Sequence, residues 1–175
     1  MNNVIYLGGG CFWCIESIFK KIIGVRSTLP GYMGGKTNFP TYEEVCEGNT
    51  NHVEVVKVEF DKSIKLDKIL SIFFSVHDPT SINRQGADVG TQYRSAIYCN
   101  SNVRHEVIQF IKKLEKESIF NDKIVTEVND VKDFFQAEEY HHDYFKKNPE
   151  NAYCQAVINP KIQKLRLNFQ NLIAE

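Results

Sequence analysis

A short apolar segment, three glycines and a helical pattern follow one another at the start of this chain. Residues 4–7 (Val-Ile-Tyr-Leu) are typical of a buried strand, and the glycines at 8–10 end it. From Cys14 onward apolar residues recur at helical spacing, and Gly24 marks the end of that pattern. Glycine permits tight turns and close backbone approach, so this order predicts a strand joined to a helix by a sharp turn.

Strand and helix patterns alternate through the rest of the chain. Alternation of apolar and charged residues predicts a half-buried strand at 56–60, and further strands are expected at 93–98 and 124–128. Helical spacing predicts helices at 66–76 and 103–114, a short helical stretch at 137–144 and a final helix through Leu172.

Two long segments, 25–52 and 77–92, are rich in turn-forming and polar residues. We interpret the first as a strand plus a long loop and the second as a loop. Loops of about 15–25 residues are longer than compact domains normally use, and such loops tend to be functional. No repeat or change in composition divides the chain. We therefore expect a single α/β or α+β domain with about five strands and three to four helices.

Composition gives no support to several functional classes. Apolar residues make up 42% and charged residues 25%, with a net charge of −1 from 21 basic and 22 acidic residues. This balance is typical of an ordinary globular protein. It provides no excess of positive charge that would indicate binding to nucleic acid or to an anionic membrane. The sequence shows neither a signal-peptide pattern nor an apolar run near the ~20 residues of a membrane span. Five cysteines, an odd number, fit a reducing compartment. We therefore expect a cytoplasmic monomer.

Cys11 lies at the predicted junction of the turn and the first helix. Helix N-termini favour anions, so we expect thiolate character at this sulfur. Phe12 and Trp13, the only tryptophan, would form an apolar wall beside it. The Cys-x-x-Cys spacing with Cys14 allows three chemistries: a dithiol shuttle, half of a zinc site, or a nucleophile with a second cysteine that resolves the product. Zinc is the weakest alternative, because no second closely spaced cysteine pair exists.

Eight short motifs in this order resemble those of the A-type peptide methionine sulfoxide reductases. They are Gly-Gly-Gly-Cys-Phe-Trp-Cys at 8–14, Asn-Phe-Pro-Thr-Tyr-Glu-Glu-Val-Cys at 38–46, His-Val-Glu-Val-Val at 52–56, His-Asp-Pro-Thr at 77–80, Asn-Arg-Gln-Gly-Ala-Asp-Val-Gly-Thr-Gln-Tyr-Arg-Ser at 83–95, Ala-Glu-Glu-Tyr-His at 137–141, Asn-Pro at 148–149 and Tyr-Cys at 153–154. One departure is Asn51, where the family usually has glycine. The resemblance implies a ferredoxin-like α/β roll around a mixed sheet, an α+β fold with long loops. It also implies one catalytic domain, residues 1–175, whose largely irregular tail, about 146–175, wraps the core.

The resemblance further implies an activity and a set of site residues. The family reduces the S epimer of methionine sulfoxide, free or in proteins, which is one route of oxidative repair. Cys11 would attack the sulfoxide sulfur, and Phe12 and Trp13 would hold its methyl group. Glu54 matches the acid that serves the oxygen, and its apolar neighbours predict a raised pKa. Further matches are Tyr42 and Tyr93, phenols that donate to the oxygen, and Asp88, which orders the site or contacts substrate.

Two cysteines could resolve the resulting sulfenic acid at Cys11. Cys14 is three residues away, and Cys154 lies in a tail motif that is the more extensive match, so the resemblance slightly favours Cys154 for the first disulfide. Thioredoxin would then reduce the enzyme, and no bound cofactor or metal is implied. We expect Cys46 and Cys99 to be buried bystanders. We expect His52, His141 and His142 to be structural. The alternative function is a non-catalytic module that binds oxidised methionine in the same pocket.

Overall fold

The computed structural model describes residues 3–174 and contains one six-stranded sheet, a separate two-stranded hairpin and six helices. The strands are β1 (Asn3–Gly8), β2 (Val25–Met33), β3 (Val53–Phe60), β4 (Arg84–Gln85), β5 (Asp88–Val89), β6 (Ala96–Cys99), β7 (Glu127–Asp130) and β8 (Phe134–Gln136). The helices are α1 (Phe12–Phe19), α2 (Tyr42–Cys46), α3 (Leu66–Val76), α4 (Ser101–Lys116), α5 (Tyr144–Lys147) and α6 (Asn159–Phe169). Short 3-10 turns cover Thr91–Tyr93, Glu139–His141 and Gln170–Leu172, and a π turn covers Cys154–Ile158. Within residues 3–174 no helix is long and apolar enough to cross a bilayer.

The large sheet is mixed, with the strand order β7-β6-β1-β3-β2-β8. All neighbouring strands run antiparallel except β6 and β7, which are parallel. Helix α1 connects β1 to β2, and α3 follows β3 on the way to β6, which gives the four inner strands the β-α-β-β-α-β order of ferredoxin-like folds. The expected α+β roll around a mixed sheet is therefore confirmed.

The main core lies between the sheet and the helices. Ile5 and Leu7 of β1 are 1% and 0% exposed, and Leu7 pairs with the equally buried Val56 of β3. The two helices cover this face because their apolar residues recur three and four positions apart. Those residues are Ile15, Ile18 and Phe19 of α1 and Ile69, Leu70 and Phe73 of α3. The spacing seen in the sequence therefore produces the two helices that pack on the sheet.

Truncation of Leu7 tests the central position of β1. We expect Leu7→Ala to lower the free energy of unfolding by about 2–5 kcal/mol, because it removes a fully buried side chain and leaves a cavity. Leu167→Ala is the matched control, since Leu167 is 85% exposed and its truncation should change stability by less than about 0.5 kcal/mol. Urea denaturation of both variants measures the difference, and equal midpoints would contradict this description of the core.

Several sequence-predicted boundaries are wrong, and three of them have a clear cause in the structure. Helix α1 begins at Phe12, two residues before the predicted start, because the turn ends at Cys11. The strand predicted at 93–98 begins only at Ala96, since Thr91–Tyr93 form a 3-10 turn. The strand predicted at 124–128 lies at Glu127–Asp130, where β7 pairs in parallel with β6. The register of that pairing is a tertiary constraint that the local apolar pattern does not contain.

Helix α2 lies within the segment expected to be strand plus loop. Thr41 caps it: the Thr41 hydroxyl accepts the Glu44 N–H at 3.2 Å, and the Glu44 carboxylate accepts the Thr41 N–H at 2.9 Å. This reciprocal pair is a capping box, and its Thr-x-x-Glu spacing is a helix signal present in the sequence. The helix places Tyr42 at its first position.

The C-terminal tail contains more regular structure than the expected irregular segment. The π turn runs directly into α6, and Pro160 lies in the first turn of that helix, where a missing backbone N–H costs nothing. Helix α6 packs against α1 and α3, and beyond it Ile173 pairs with Ile22 in an isolated antiparallel bridge. The predicted final helix is confirmed up to Phe169, with a 3-10 turn from there to Leu172.

Candidate active site

Cys11 occupies the N-cap of α1, directly after a sharp glycine turn. Gly10 has a φ of +94°, a left-handed conformation that favours glycine, and a side chain there would lie 2.8 Å from Gln85. Gln85 is held in place by two hydrogen bonds to the backbone of Asp78. The predicted strand, glycine turn and helix are therefore present, and they carry the sulfur from the end of a central strand to the edge of the β4–β5 hairpin.

The pKa of the Cys11 thiol is raised, a shift opposite in direction to the one expected at a helix N-terminus. Burial raises the pKa of Cys11 well above its ordinary value, with further contributions from the Cys14 hydrogen bond and the Glu54 charge. The Trp13 N–H lowers this pKa, but desolvation outweighs it. The hydrogen bond from Cys11 lowers the pKa of Cys14 to about 7. The two sulfurs thus titrate as a pair and hold one negative charge more easily than an isolated thiol.

Glu54 is a buried carboxyl beside the start of α1. It lies on β3, is 1% exposed, and its Oε2 accepts the Phe12 N–H at 3.0 Å. Burial, together with the charges of Asp88 and Cys14, raises the pKa of Glu54 to about 8, although the Phe12 N–H opposes this shift. The predicted raised pKa is confirmed. The half-buried pattern predicted at 56–60 is also present, and the strand becomes fully buried from Val53 to Val56, around Glu54. At neutral pH Glu54 is therefore largely protonated and can donate a proton.

Phe12 and Trp13 form the predicted apolar wall, and other aromatic residues hold them. Phe12 is only 1% exposed and packs against Tyr32. Trp13 stacks on Tyr144, with ring centroids 3.6 Å apart and planes 4° from parallel. The Trp13 indole N–H donates to Nδ1 of His141 at 2.9 Å. These contacts fix the orientation of the indole ring beside Cys11.

His141 was expected to be structural, and it lies fully buried within this wall. Burial lowers its pKa to about 4, so the ring is neutral. Because Nδ1 accepts from Trp13, the proton is on Nε2, which has no hydrogen-bond partner among the residues that the structure describes. The ring lies 4.4 Å from Tyr42 and 4.9 Å from Phe12, between centroids. The ring therefore joins the start of α2, at Tyr42, to the start of α1, at Phe12.

Tyr42 is the first residue of α2 and Tyr93 is the last residue of the Thr91–Tyr93 turn, and both phenols lie on the Glu54 side of the site. Burial raises the pKa of each phenol well above its ordinary value, and the charge of Glu54 is the next largest cause for both. Both phenols therefore stay protonated and lie within electrostatic reach of Glu54. The Tyr42 N–H also donates to Glu138 at 2.9 Å, which anchors its loop.

Asp88 and Tyr153 extend the site toward Cys14. The Tyr153 hydroxyl donates to Asp88 at 2.5 Å and lies 3.8 Å from the Cys14 sulfur, within hydrogen-bond range for sulfur. Its ring meets Trp13 edge-on at 5.8 Å. Sequence reasoning missed Tyr153 as a site residue, because it entered only as the neighbour of Cys154. The sequence signal was its place in a matching motif.

Three of the five cysteines cluster at the site. Cys14 and Cys154 are buried in one apolar cluster, and Cys11 packs against it. Cys99 is buried in β6 as expected, whereas Cys46 is exposed at the end of α2, so its predicted burial is wrong. All five are free thiols. Among residues 3–174 no three cysteine, histidine or acidic side chains are arranged to hold a metal ion.

Comparison with known proteins gives one family. The model of the family described as "Peptide methionine sulfoxide reductase" matches residues 3–172. A peptide methionine sulfoxide reductase MsrA from Trichodesmium erythraeum is 51% identical over 176 residues, which covers 99% of each chain.

Solved structures agree with the sequence match. Methionine sulfoxide reductase A of Corynebacterium diphtheriae has a TM-score of 0.79 and 35% identity, covering 85% of this chain and 76% of its own. Reduced Mxr1 from Saccharomyces cerevisiae also has a TM-score of 0.79, with 32% identity over 87% of this chain and 89% of its own. Mxr1 in complex with Trx2 has a TM-score of 0.55 at 22% identity, covering 81% and 84%. The chain belongs to the peptide methionine sulfoxide reductase family.

Proposed function

We propose that this enzyme reduces methionine S-sulfoxide, free or in oxidised proteins, by attack of Cys11 on the sulfoxide sulfur. The observation that carries this is the juxtaposition at the start of α1. There Cys11 adjoins a buried, protonated Glu54, with the Tyr42 and Tyr93 phenols in reach of the same carboxyl. Reduction of a sulfoxide requires a nucleophile for its sulfur, and a proton donor and hydrogen-bond donors for its oxygen. Cys11, Glu54 and the two phenols supply these groups.

In the first step the Cys11 sulfur bonds to the sulfoxide sulfur, while Glu54 protonates the sulfoxide oxygen and takes up the proton of the Cys11 thiol. The protonated oxygen then passes as a hydroxyl group to the Cys11 sulfur, so the sulfur–oxygen bond of the substrate and the transient bond between the two sulfurs both break. The net products are methionine and Cys11 sulfenic acid. Phe12 and the fixed Trp13 ring hold the substrate methyl group, an apolar contact worth about 1–3 kcal/mol. Asp88 accepts a hydrogen bond from the Tyr153 hydroxyl and so holds that ring in place at the site.

In the second step we propose that Cys14 resolves the sulfenic acid before Cys154 does. Cys14 shares a hydrogen bond with Cys11, and its pKa near 7 makes a thiolate available. Burial raises the pKa of Cys154, which is 0% exposed in the π turn. Water leaves as the Cys11–Cys14 disulfide forms, and Cys154 can then exchange with Cys14. This order reverses the slight preference for Cys154 that the motifs alone suggested.

Two variants, each with one cysteine replaced by serine, test this order of disulfide formation. After one turnover without reductant, we expect Cys154→Ser to form the Cys11–Cys14 disulfide at the wild-type rate. Cys14→Ser should accumulate sulfenic acid and form a Cys11–Cys154 disulfide about tenfold or more slowly, because a protonated, buried thiol is a poor nucleophile. Quenched mass mapping of the cysteine peptides measures both. A Cys14→Ser variant that makes Cys11–Cys154 at the wild-type rate would defeat the order.

Thioredoxin is the proposed reductant of the enzyme disulfide. The fold shared with Mxr1, which has been solved with Trx2, supports this choice. We also propose that oxidised proteins are substrates and that the enzyme works as a monomer. Five free thiols suit a reducing compartment, so we place the enzyme in the cytoplasm. Residues 1–175 would act as one catalytic domain whose tail, 146–175, wraps the core and carries Cys154. The packing of α6 on α1 and α3 supports this arrangement.

Turnover of the two sulfoxide epimers tests the proposed function. With dithiothreitol or thioredoxin as reductant, we expect multiple turnovers of methionine S-sulfoxide and none of the R epimer. A module that only binds oxidised methionine would release no methionine from either epimer. Activity on the R epimer alone, or on neither, would refute the assignment.

A further inference from the structure

Glu16 is a buried carboxyl that the proposed chemistry does not use. It lies on α1 and is only 3% exposed. A carboxyl group inside a protein is unfavourable unless its oxygens have hydrogen-bond partners. The Oε2 atom of Glu16 accepts the backbone N–H of Asp143 at 3.1 Å, a bond that spans 127 positions of the chain. The side chain therefore joins α1 to the residue that immediately precedes α5.

The bond from Glu16 holds Asp143 in a conformation that its own backbone does not favour. Asp143 has a φ of 56° and a ψ of 30°, which is left-handed, and such residues persist only where surrounding contacts hold them. The Asp143 carboxylate also pairs with Lys20, but the two side chains are 32% and 46% exposed. Exposed ion pairs contribute little to stability. The buried bond to Glu16 is therefore the contact that fixes this turn.

The Asp143 turn sets the position of the aromatic ring that covers Trp13. Tyr144 follows Asp143 as the first residue of α5, and its ring stacks on the Trp13 indole at 3.6 Å. Trp13 and Glu16 are three positions apart, so they share one face of α1 and both contact this segment. Because Trp13 also donates to His141, loss of the Glu16 bond would loosen the indole without releasing it.

We propose that Glu16 is a positioning residue for the methyl pocket, because its acceptor oxygen holds the Asp143–Tyr144 turn and thereby sets the orientation of Trp13. The inference rests on the proposed function, which assigns Trp13 to the methyl group of the sulfoxide. A well-fitted apolar pocket discriminates against one additional methylene by about 10–200-fold. An indole that can tilt accommodates a larger alkyl group, so loss of the Glu16 bond should relax this selectivity.

Three variants of the whole chain separate the acceptor oxygen from other effects of substitution. Glu16→Leu removes the acceptor and keeps an apolar side chain in the buried position, whereas Glu16→Gln keeps an acceptor oxygen for the Asp143 N–H. Glu115→Leu makes the same change on an exposed position of α4 and is the matched control. If Glu16→Leu does not unfold cooperatively in urea, Glu16→Ala takes its place.

The first readout is tryptophan fluorescence, which reports on Trp13 alone because the chain contains no other tryptophan. We expect Glu16→Leu to shift the emission to longer wavelength and to increase quenching by acrylamide, since the indole is less firmly covered. Glu16→Gln and Glu115→Leu should keep the wild-type spectrum. This measurement requires no turnover, so it can be read even if the proposed reaction does not occur.

The second readout is the selectivity between a methyl and an ethyl sulfoxide. Single-turnover rate constants are measured below saturation with methionine S-sulfoxide and ethionine S-sulfoxide. We expect Glu16→Leu to lower the methyl-to-ethyl ratio about fivefold, and Glu16→Gln and Glu115→Leu to keep it within about twofold of wild type. A general loss of structure would slow both substrates equally and leave the ratio unchanged.

The results that would overturn the role of Glu16 differ from those that would refute the reaction. An unchanged ratio or an unchanged emission spectrum in Glu16→Leu would overturn the positioning role. So would a Glu16→Gln variant that behaves like Glu16→Leu. If the wild-type chain releases no methionine, the proposed function fails, and the fluorescence comparison still shows whether Glu16 holds Trp13 in place.

Discussion

Replacing Cys11 with serine should abolish methionine sulfoxide reduction, with a loss of about a thousandfold or more. The nucleophile and the oxygen acceptor are the same sulfur, and loss of a catalytic nucleophile removes most of an enzyme's rate enhancement. A hydroxyl at this position would be fully protonated and would not form a stable oxidised product. The measurement is methionine release from the S epimer with dithiothreitol.

Cys46→Ser is the matched control for this substitution. Cys46 is exposed at the end of α2 and lies outside the cluster of Cys11, Cys14 and Cys154. We expect it to retain wild-type turnover. An active Cys11→Ser enzyme, or one no slower than Cys46→Ser, would show that another group attacks the sulfoxide.

Glu54→Gln should slow the oxygen-transfer step about 10²–10⁴-fold, the usual contribution of a general acid. The glutamine side-chain oxygen can still accept the Phe12 N–H, so the local geometry is kept. Only the acidic proton of the carboxyl group is removed. The matched control is Glu59→Gln on the same strand, where Glu59 pairs with Lys57 and should not affect the rate. Single-turnover methionine release measures the step. An unchanged rate in Glu54→Gln would remove the acid role.

The raised pKa of Glu54 sets how both the reaction rate and the stability of the fold change with pH. Glu54 donates when protonated, which holds below its pKa of about 8, so the wild-type rate should fall as pH rises through that value. Ordinary glutamates ionise near 4.3, so between that range and pH 8 the unfolded chain binds fewer protons than the folded one. Burial of Glu54 therefore costs stability increasingly up to pH 8. Glu54→Gln should be at least as stable as wild type there, which separates lost catalysis from lost folding.

Local patterns in the sequence predicted the parts of the fold that depend on neighbouring residues. Helix α3 matches the predicted bounds because its apolar spacing is uninterrupted. The glycine turn and α1 were predicted because glycines and periodic apolar residues adjoin Cys11. The raised pKa of Glu54 was expected because the resemblance places this carboxyl near two aromatic residues and other apolar walls, and burial there favours the protonated form.

Contacts between distant segments could not be predicted in this way. The pKa of Cys11 is raised by burial and by the charge of Glu54, a residue far from it in the sequence. The hydrogen bond from Trp13 to His141 spans 128 positions, and that from Tyr153 to Asp88 spans 65. The family motifs identified these residues as candidates but did not show which of them are in contact.

One measurement tests the central claim most directly. The wild-type chain is mixed with excess methionine S-sulfoxide without any reductant, and released methionine is counted while the cysteine peptides are mapped. We predict a first phase of about one methionine per chain, during which the Cys11–Cys14 disulfide forms, before exchange with Cys154 frees Cys11 for a second release. Methionine release during the first phase without oxidation of Cys11, or no release at all, would contradict the assignment of Cys11 as the attacking sulfur.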